Sequence, residues 1–125
     1  MTHKPFSIKE RLKSFQYTFA GLKTLLLHEH NARIHLAAAL TAIALGFILN
    51  ISATEWIFIV FAIGIVFAAE AFNSAIEYLA NYVSPQYHEL IKKVKDLAAL
   101  AVLFLATASL IAGLIIFIPK LIALW

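Results

Sequence analysis

The chain has 125 residues, of which 62% are hydrophobic and 14% are charged, and its formal net charge is +3. A single domain of this size cannot bury so much apolar surface, so the composition excludes a soluble globular protein and predicts a membrane protein. Nucleic-acid binding is not expected, because the basic residues flank the apolar segments and form no separate patch. The absence of cysteine excludes disulfide bonds and thiolate metal sites. We therefore expect the chain to lie in the lipid bilayer and to bind no nucleic acid.

Residues 7–30 are predicted to form an amphipathic helix. Apolar side chains recur every three or four residues, opposite a basic polar face. These apolar residues are Ile8, Leu12, Phe15, Phe19, Leu22 and Leu26. Ser7 and Glu10 have the spacing of a capping box at its start. A helix in a soluble core would show the same periodicity, but the rest of the chain offers little soluble core, so we expect this helix to lie on the membrane surface.

Three apolar segments follow, at residues 34–51, 56–77 and 97–119, and each is long enough to span the bilayer. Ser52 and Glu55 form a second possible capping box before the second span. Residues 78–96 are predicted to form a cytoplasmic loop. Within this loop, Ser84 and Pro85 suit the N-cap and first position of the helix that leads into the third span. The sequence thus predicts one all-α membrane domain over residues 1–125, in the form of an oligomeric helical bundle.

The basic residues predict the orientation of this domain. Nine of the ten lysines and arginines precede the first span or lie between the second and third spans, and only Lys120 follows the third. Because positive charge accumulates on cytoplasmic loops, we expect a multi-pass protein of the cell membrane with its N-terminus in the cytoplasm and its C-terminus outside.

Polar side chains interrupt the end of the second span. Glu70, Asn73 and Glu77 stand at positions i, i+3 and i+7, so they share one face of a helix. Polar groups inside a membrane are costly and usually functional. A structural alternative is that Glu70 and Asn73 only bond neighbouring helices while Glu77 lies in interfacial water. Three such residues on one face favour a functional site.

Further polar residues are predicted at the same cytoplasmic interface. Glu29 lies in the histidine-rich segment 28–35, whose spacing does not match a zinc-binding H-E-x-x-H motif. A hard cation such as Mg²⁺ suits Glu29 better, because Mg²⁺ needs only one or two carboxylates together with substrate phosphates. Lys95 suits phosphate binding, with Asp96 holding it or bonding a nucleotide. Alternatively, Lys95 is an interfacial anchor.

Three motifs resemble the prokaryotic diacylglycerol kinase family over nearly the whole chain. They are Glu70-x-x-Asn73-Ser-Ala-Ile-Glu77, Tyr87-His88-Glu-Leu and Lys95-Asp96. Segment 28–35 is more similar to the undecaprenol kinase branch, whereas Ser74 and residues 87–90 are more similar to the diacylglycerol branch. Asn81 departs from the family pattern, which usually has aspartate at this position.

The resemblance implies a homotrimeric membrane kinase that transfers the γ-phosphate of Mg-ATP to a membrane lipid alcohol. Glu70 would then be the general base, and Asn73 would support it or the substrate hydroxyl. Glu29 and Glu77 would hold Mg²⁺. The residues implied for the nucleotide site are Tyr17, Tyr87, His88, Lys95 and Asp96.

Two other classes of protein stay open at this point. In a non-enzymatic oligomeric channel or proton-coupled transporter, Glu70 and Glu77 would mark an ion path. A structural scaffold would explain the small residues of the third span by close helix packing. A channel gives no reason for charged residues to gather with Tyr87 and His88. Three spans are too few to enclose a nucleotide and a lipid headgroup, so a kinase would be an obligate oligomer with sites at subunit boundaries.

Overall fold

A computed structural model describes residues 3–125 of the chain. These residues form four helices and no strand, which confirms the predicted all-α fold. The helices are α1 (Ile8–His28), α2 (His30–Ile48), α3 (Ala53–Val83) and α4 (Glu89–Ile122). Of these, α2, α3 and α4 are long and apolar enough to cross a membrane.

Helices α3 and α4 form a long antiparallel hairpin. Their 31 and 34 residues correspond to roughly 46 and 51 Å, which exceeds a hydrocarbon core of about 30 Å. Three polar contacts connect the two helices along their length. Lys95 donates to the side-chain oxygen of Asn81, Ser109 Oγ donates to the carbonyl oxygen of Ala62 at 3.3 Å, and Lys120 Nζ lies 3.3 Å from Glu55 Oε2.

Most of the predicted cytoplasmic segment at residues 78–96 is helical. Only residues 84–88 are non-helical, because α3 continues beyond Glu77 and α4 begins at Glu89. The N-cap prediction for Ser84 is wrong: Ser84 ends α3, and its N–H donates to the carbonyl oxygen of Ala80. Pro85 explains this end, because proline disfavours a helical conformation in the residue before it. The N-cap of α4 is His88, whose Nδ1 accepts from the N–H of Leu90 at 3.1 Å.

Helix α2 packs antiparallel to α3 through a tight turn. The predicted capping box is present: Ser52 Oγ accepts from the N–H of Glu55 at 3.2 Å, and Glu55 Oε2 accepts from the N–H of Ser52 at 2.8 Å. Near this turn, Trp56 packs against a buried cluster that joins α3, α4 and the turn itself. The cluster consists of Ile51, Ile59, Ile116 and Phe117.

Helix α1 lies at the edge of the bundle. It contacts α2 and α3, and within residues 3–125 it makes no contact with α4. Leu25 is its only buried residue, while the apolar side chains of Leu12, Phe15 and Phe19 are exposed. The exposed apolar face suits the predicted position on the membrane surface. At the joint with α2, the Arg33 guanidinium donates to the carbonyl oxygens of Leu26 and Leu27 and so fixes the angle between the two helices.

Candidate active site

The Glu70 carboxylate is buried inside the helical bundle of a single chain. The residue is 2% exposed, and it is the largest of the fully buried side chains. Its Oε1 atom lies 3.1 Å from Nε2 of His35 on α2. A carboxylate in an apolar environment is costly unless it is hydrogen-bonded or paired. His35 supplies that partner, and no other side chain in the described residues bonds to Glu70.

The partnership with His35 was not predicted from the sequence, where His35 is one residue of the histidine-rich segment 28–35. A usable signal was present, because α2 and α3 are antiparallel spans joined by a short turn. Counting outward from that turn brings the two residues to similar depths. The exact pairing depends on the turn, where Asn50 adopts a positive φ of 50°.

Two unsatisfied polar atoms lie one helical turn beyond Glu70. Asn73 is half-buried and Ser74 is 6% exposed, and neither Asn73 Oδ1 nor Ser74 Oγ has a hydrogen-bond partner among residues 3–125. Buried polar atoms normally have partners. These two atoms are therefore available to a group from outside the chain, such as a substrate hydroxyl or a water molecule. The structure thus bears on Ser74, which the sequence offered only as a family mark.

Counting residues along the two antiparallel helices predicts similar depths for the two predicted metal-binding carboxylates, although Glu29 itself is the extended N-cap before α2. Six residues back from His35 along α2 is Glu29, and six residues on from Glu70 along α3 is Ile76, next to Glu77. Both steps correspond to roughly 9 Å along the helix axes. Glu29 and Glu77 are both half-buried, and the Glu29 side chain makes no capping bond. Within the described residues, no group of three or more histidine, cysteine, aspartate or glutamate side chains could hold a metal.

A cavity of about 310 Å³ lies beside the linker at residues 84–88. It brings together Tyr87, His88 and Lys95, three of the residues predicted for the nucleotide site. Asn81 and Lys92 also line it. Tyr17 and Asp96 do not: Tyr17 lies on α1 and is 76% exposed, and Asp96 lies outside the lining.

The cavity beside the linker carries positive charge. Asn81, rather than Asp96, holds Lys95, because Lys95 Nζ donates to Asn81 Oδ1. Asp96 instead binds Lys92 at 2.6 Å. This hydrogen bond and the attraction between the charges raise the pKa of Lys92, in the part of α4 before the predicted span 97–119. Both side chains are about 60% exposed, so the pair contributes little to stability. In the described part of the chain, the side-chain partner of Lys95 is an amide and not a carboxylate, which leaves Lys95 suited to bind a phosphate.

A second, apolar cavity of about 590 Å³ lies between α2, α3 and α4. Its lining extends from His35 on α2 to Leu121 near the end of α4. Most of the lining residues are alanine or branched apolar residues, including Ala38, Val66 and Leu110. His35 therefore stands at one end of an apolar space that runs along the helices, and Glu70 contacts His35 but does not line the cavity.

Residues 16–117 match the sequence profile of the prokaryotic diacylglycerol kinases. The chain belongs to the prokaryotic diacylglycerol kinase family. It is 39% identical to the undecaprenol kinase of Bacillus subtilis over 109 aligned residues, and the alignment covers 87% of this chain and 89% of that protein. It is 33% identical over 114 residues to a diacylglycerol kinase of Synechocystis, which covers 90% of this chain and 65% of that longer protein. It is 28% identical over 105 residues to the diacylglycerol kinase of Escherichia coli, which covers 84% and 86% of the two chains.

Membership of the prokaryotic diacylglycerol kinase family confirms the resemblance seen in the motifs. The chain is a lipid kinase, so the enzyme is favoured over the channel, transporter and scaffold. The polar face of α3 and the cavity beside the linker both lie within the matched residues. Of the residues predicted for the site, Tyr17 is closest to the start of the match.

Proposed function

We propose that this kinase transfers the γ-phosphate of ATP to the hydroxyl of a membrane lipid alcohol, diacylglycerol or undecaprenol, with Glu70 as the general base. The observation that carries the proposal is the place of Glu70. It is a buried carboxylate held by His35 at the end of an apolar cavity, on the helix that leads to the basic cavity. An intramembrane base is needed if the reacting hydroxyl comes from the lipid phase.

The apolar cavity supports a lipid as the acceptor. A hydrocarbon chain lying along α2, α3 and α4 would present its hydroxyl at the His35 end, beside Glu70. The relative at 39% identity is named for undecaprenol and the relatives at 33% and 28% for diacylglycerol. Undecaprenol is therefore the first acceptor to test.

In the proposed reaction, the hydroxyl oxygen attacks the γ-phosphorus while its proton passes to the Glu70 carboxylate. A new bond forms between the acceptor oxygen and phosphorus, and the bond between phosphorus and the leaving oxygen of ADP breaks. The Asn73 amide, whose Oδ1 has no partner in the described residues, lies one turn from Glu70, and we propose that its N–H donates to the acceptor oxygen while the hydroxyl proton passes to Glu70. Catalysis of this kind depends mainly on positioning and on neutralising the phosphate charge.

The residues present fit Mg²⁺ that arrives with ATP. Glu29 and Glu77 offer two half-buried carboxylates at similar predicted depths, and Mg²⁺ typically takes one or two carboxylates together with phosphate oxygens. When bound, Mg²⁺ would neutralise charge on the transferred phosphate. A homotrimer whose axis is normal to the membrane keeps these depths similar whether the two carboxylates come from one chain or two.

We propose that the nucleotide occupies the cavity beside the linker. Lys95, held by Asn81, would bind the phosphates, and Tyr87 and His88 would contact the nucleotide from the linker. Asp96 and Tyr17 are proposed to complete the site from outside this lining. The predicted orientation, with the N-terminus in the cytoplasm, gives this cavity access to cytoplasmic ATP.

The proposal is tested with the purified protein in lipid nanodiscs and ATP labelled at the γ-phosphate. We expect label in the organic extract when undecaprenol or diacylglycerol is present, and none when glycerol replaces the lipid. Comparison of kcat/KM for the two lipids identifies the preferred acceptor. A helical, oligomeric preparation that labels neither lipid would contradict the proposed reaction.

A further inference from the structure

His35 has no task in the proposed metal or nucleotide sites, although among residues 3–125 it makes the only side-chain hydrogen bond to Glu70. It lies on α2, it is 20% exposed, and it lines the apolar cavity at the end where Glu70 is buried. Its Nε2 atom lies 3.1 Å from Glu70 Oε1. The contact joins two helices and involves a side chain that is 2% exposed.

The proposed role of Glu70 determines the direction of this hydrogen bond. A general base must be ionised and an ionised carboxylate can only accept, so in this role of Glu70 the Nε2 atom of His35 carries the hydrogen and donates it. Oε1 of Glu70 is then occupied, and Oε2 is the oxygen left for a substrate hydroxyl. A bond that restrains one oxygen also restrains the rotation of the carboxylate, so it orients the second oxygen.

We propose that His35 is a positioning residue that acts through Glu70. Its Nε2–H holds Glu70 Oε1 and directs Oε2 toward the acceptor hydroxyl at the end of the apolar cavity. This inference rests on the proposed role of Glu70 as the base. It assigns His35 no contact with ATP.

Three substitutions separate positioning from packing. His35→Phe keeps a flat ring but removes the donor, and we expect kcat to fall about 10- to 100-fold with KM for Mg-ATP within about twofold of the parent. His35→Gln keeps an N–H at a similar distance from the backbone and should retain kcat within about fivefold of the parent. His30→Phe is the matched control, because His30 is exposed on the same helix and should behave as the parent.

Combination with Glu70→Gln tests whether His35 acts through Glu70. If it does, adding His35→Phe to Glu70→Gln should change the residual rate by less than about twofold, because the base is already absent. If His35→Phe does not fold, as judged by helix content and oligomer size, His35→Asn replaces it. The asparagine amide is too short to reach Glu70, so this variant should lose activity like the phenylalanine variant.

The results that overturn the inference differ from those that overturn the proposed function. Parent-like activity of His35→Phe or His35→Asn would remove the positioning role. The positioning role would also be removed if His35→Gln were as inactive as His35→Phe or His35→Asn. It would likewise be removed if His35→Phe lowered the rate of Glu70→Gln as much as it lowers the rate of the parent. Parent-like activity of Glu70→Gln itself would overturn the general-base assignment, whatever His35 does.

Discussion

Some buried polar groups of α3 have a hydrogen-bond partner within the described residues, and others have none. Glu70 is 2% exposed and is bonded by His35, whereas Asn73 Oδ1 and Ser74 Oγ have no partner in the described part of the chain. Buried polar atoms normally have partners, so a group from outside the chain is expected to bond these two atoms. This division favours a site in which a fixed base faces open hydrogen-bonding positions.

Glu77 is predicted to bind Mg²⁺ and to take no part in the proton transfer assigned to Glu70. Replacing Glu77 by Gln removes a negative charge that holds Mg²⁺, so the Mg²⁺ concentration for half-maximal rate should rise about tenfold or more. Glu29→Gln should act in the same direction. A titration of the initial rate with Mg²⁺ at fixed ATP measures this effect, with Glu70→Gln as the comparison whose midpoint should not move. Midpoints equal to the parent's in both Glu29→Gln and Glu77→Gln would remove the metal assignment.

Asn81 is predicted to keep the charge of Lys95 available to phosphate. Its side-chain oxygen accepts from Lys95 without neutralising it. Asn81→Asp would create an exposed ion pair, worth up to about 1 kcal/mol, so KM for Mg-ATP should rise about two- to fivefold with little change in kcat. Asn50→Asp, in the turn between α2 and α3, is the matched control and should leave KM unchanged. An unchanged or lower KM in Asn81→Asp would show that the charge of Lys95 does not limit ATP binding.

At the scale of the elements, Gly46 allows α2 to approach the start of α3. A Cβ atom on Gly46 would lie 2.6 Å from Cη2 and 2.8 Å from Cζ2 of Trp56, closer than atoms pack. Gly46→Ala should therefore lower the free energy of unfolding by about 1–3 kcal/mol, because the Trp56 ring must move. Gly64 has no atom within 4 Å of its added Cβ, so Gly64→Ala is the control and should be nearly neutral. Equilibrium unfolding in mixed detergent micelles measures both, and equal stabilities would contradict close packing at Trp56.

The sequence predicted the helices well because apolar length and capping residues are local signals. The capping box of Ser52 and Glu55 and the N-terminal helix α1 are examples. The prediction failed at Ser84 and Pro85 because this pair suits either the start or the end of a helix. In the structure α3 continues to Val83, and Ser84 is its C-cap. The His35–Glu70 pair was missed because the two residues are 35 positions apart in the chain, and their contact depends on the register between α2 and α3. For the same reason, the partner of Lys95 proved to be Asn81 and not the adjacent Asp96.

At the scale of the whole molecule, α1 points to a site shared between chains. Tyr17 lies on α1, which has no contact with α4 in residues 3–125, and Tyr17 does not line the cavity beside the linker. If Tyr17 contacts nucleotide, α1 of a neighbouring subunit is the simplest source. The predicted homotrimer would supply such a neighbour, and cyclic symmetry would repeat the contact at every boundary.

Mixing of subunits tests the shared site. Glu29→Gln and Glu70→Gln chains are each expected to be inactive when reassembled alone. If one site takes Glu29 and Glu70 from different chains, equimolar random mixtures should recover about a quarter of the parental activity, since half of the chains supply each intact group. The label-transfer assay on unfolded and reassembled mixtures measures this recovery. Well-folded mixed oligomers with no recovered activity would mean that each chain holds its own complete site.

The most direct test is single-turnover phosphate transfer from γ-labelled ATP to the lipid by Glu70→Gln, compared with the parent and with Glu10→Gln on the exposed face of α1. We expect Glu70→Gln to slow transfer by about 100- to 10,000-fold with nearly unchanged ATP affinity, because the amide keeps the shape of the carboxylate but cannot accept the proton. Glu10→Gln should transfer phosphate at the parental rate. Transfer by Glu70→Gln at a rate close to the parent's would show that the buried carboxylate of α3 is not the base.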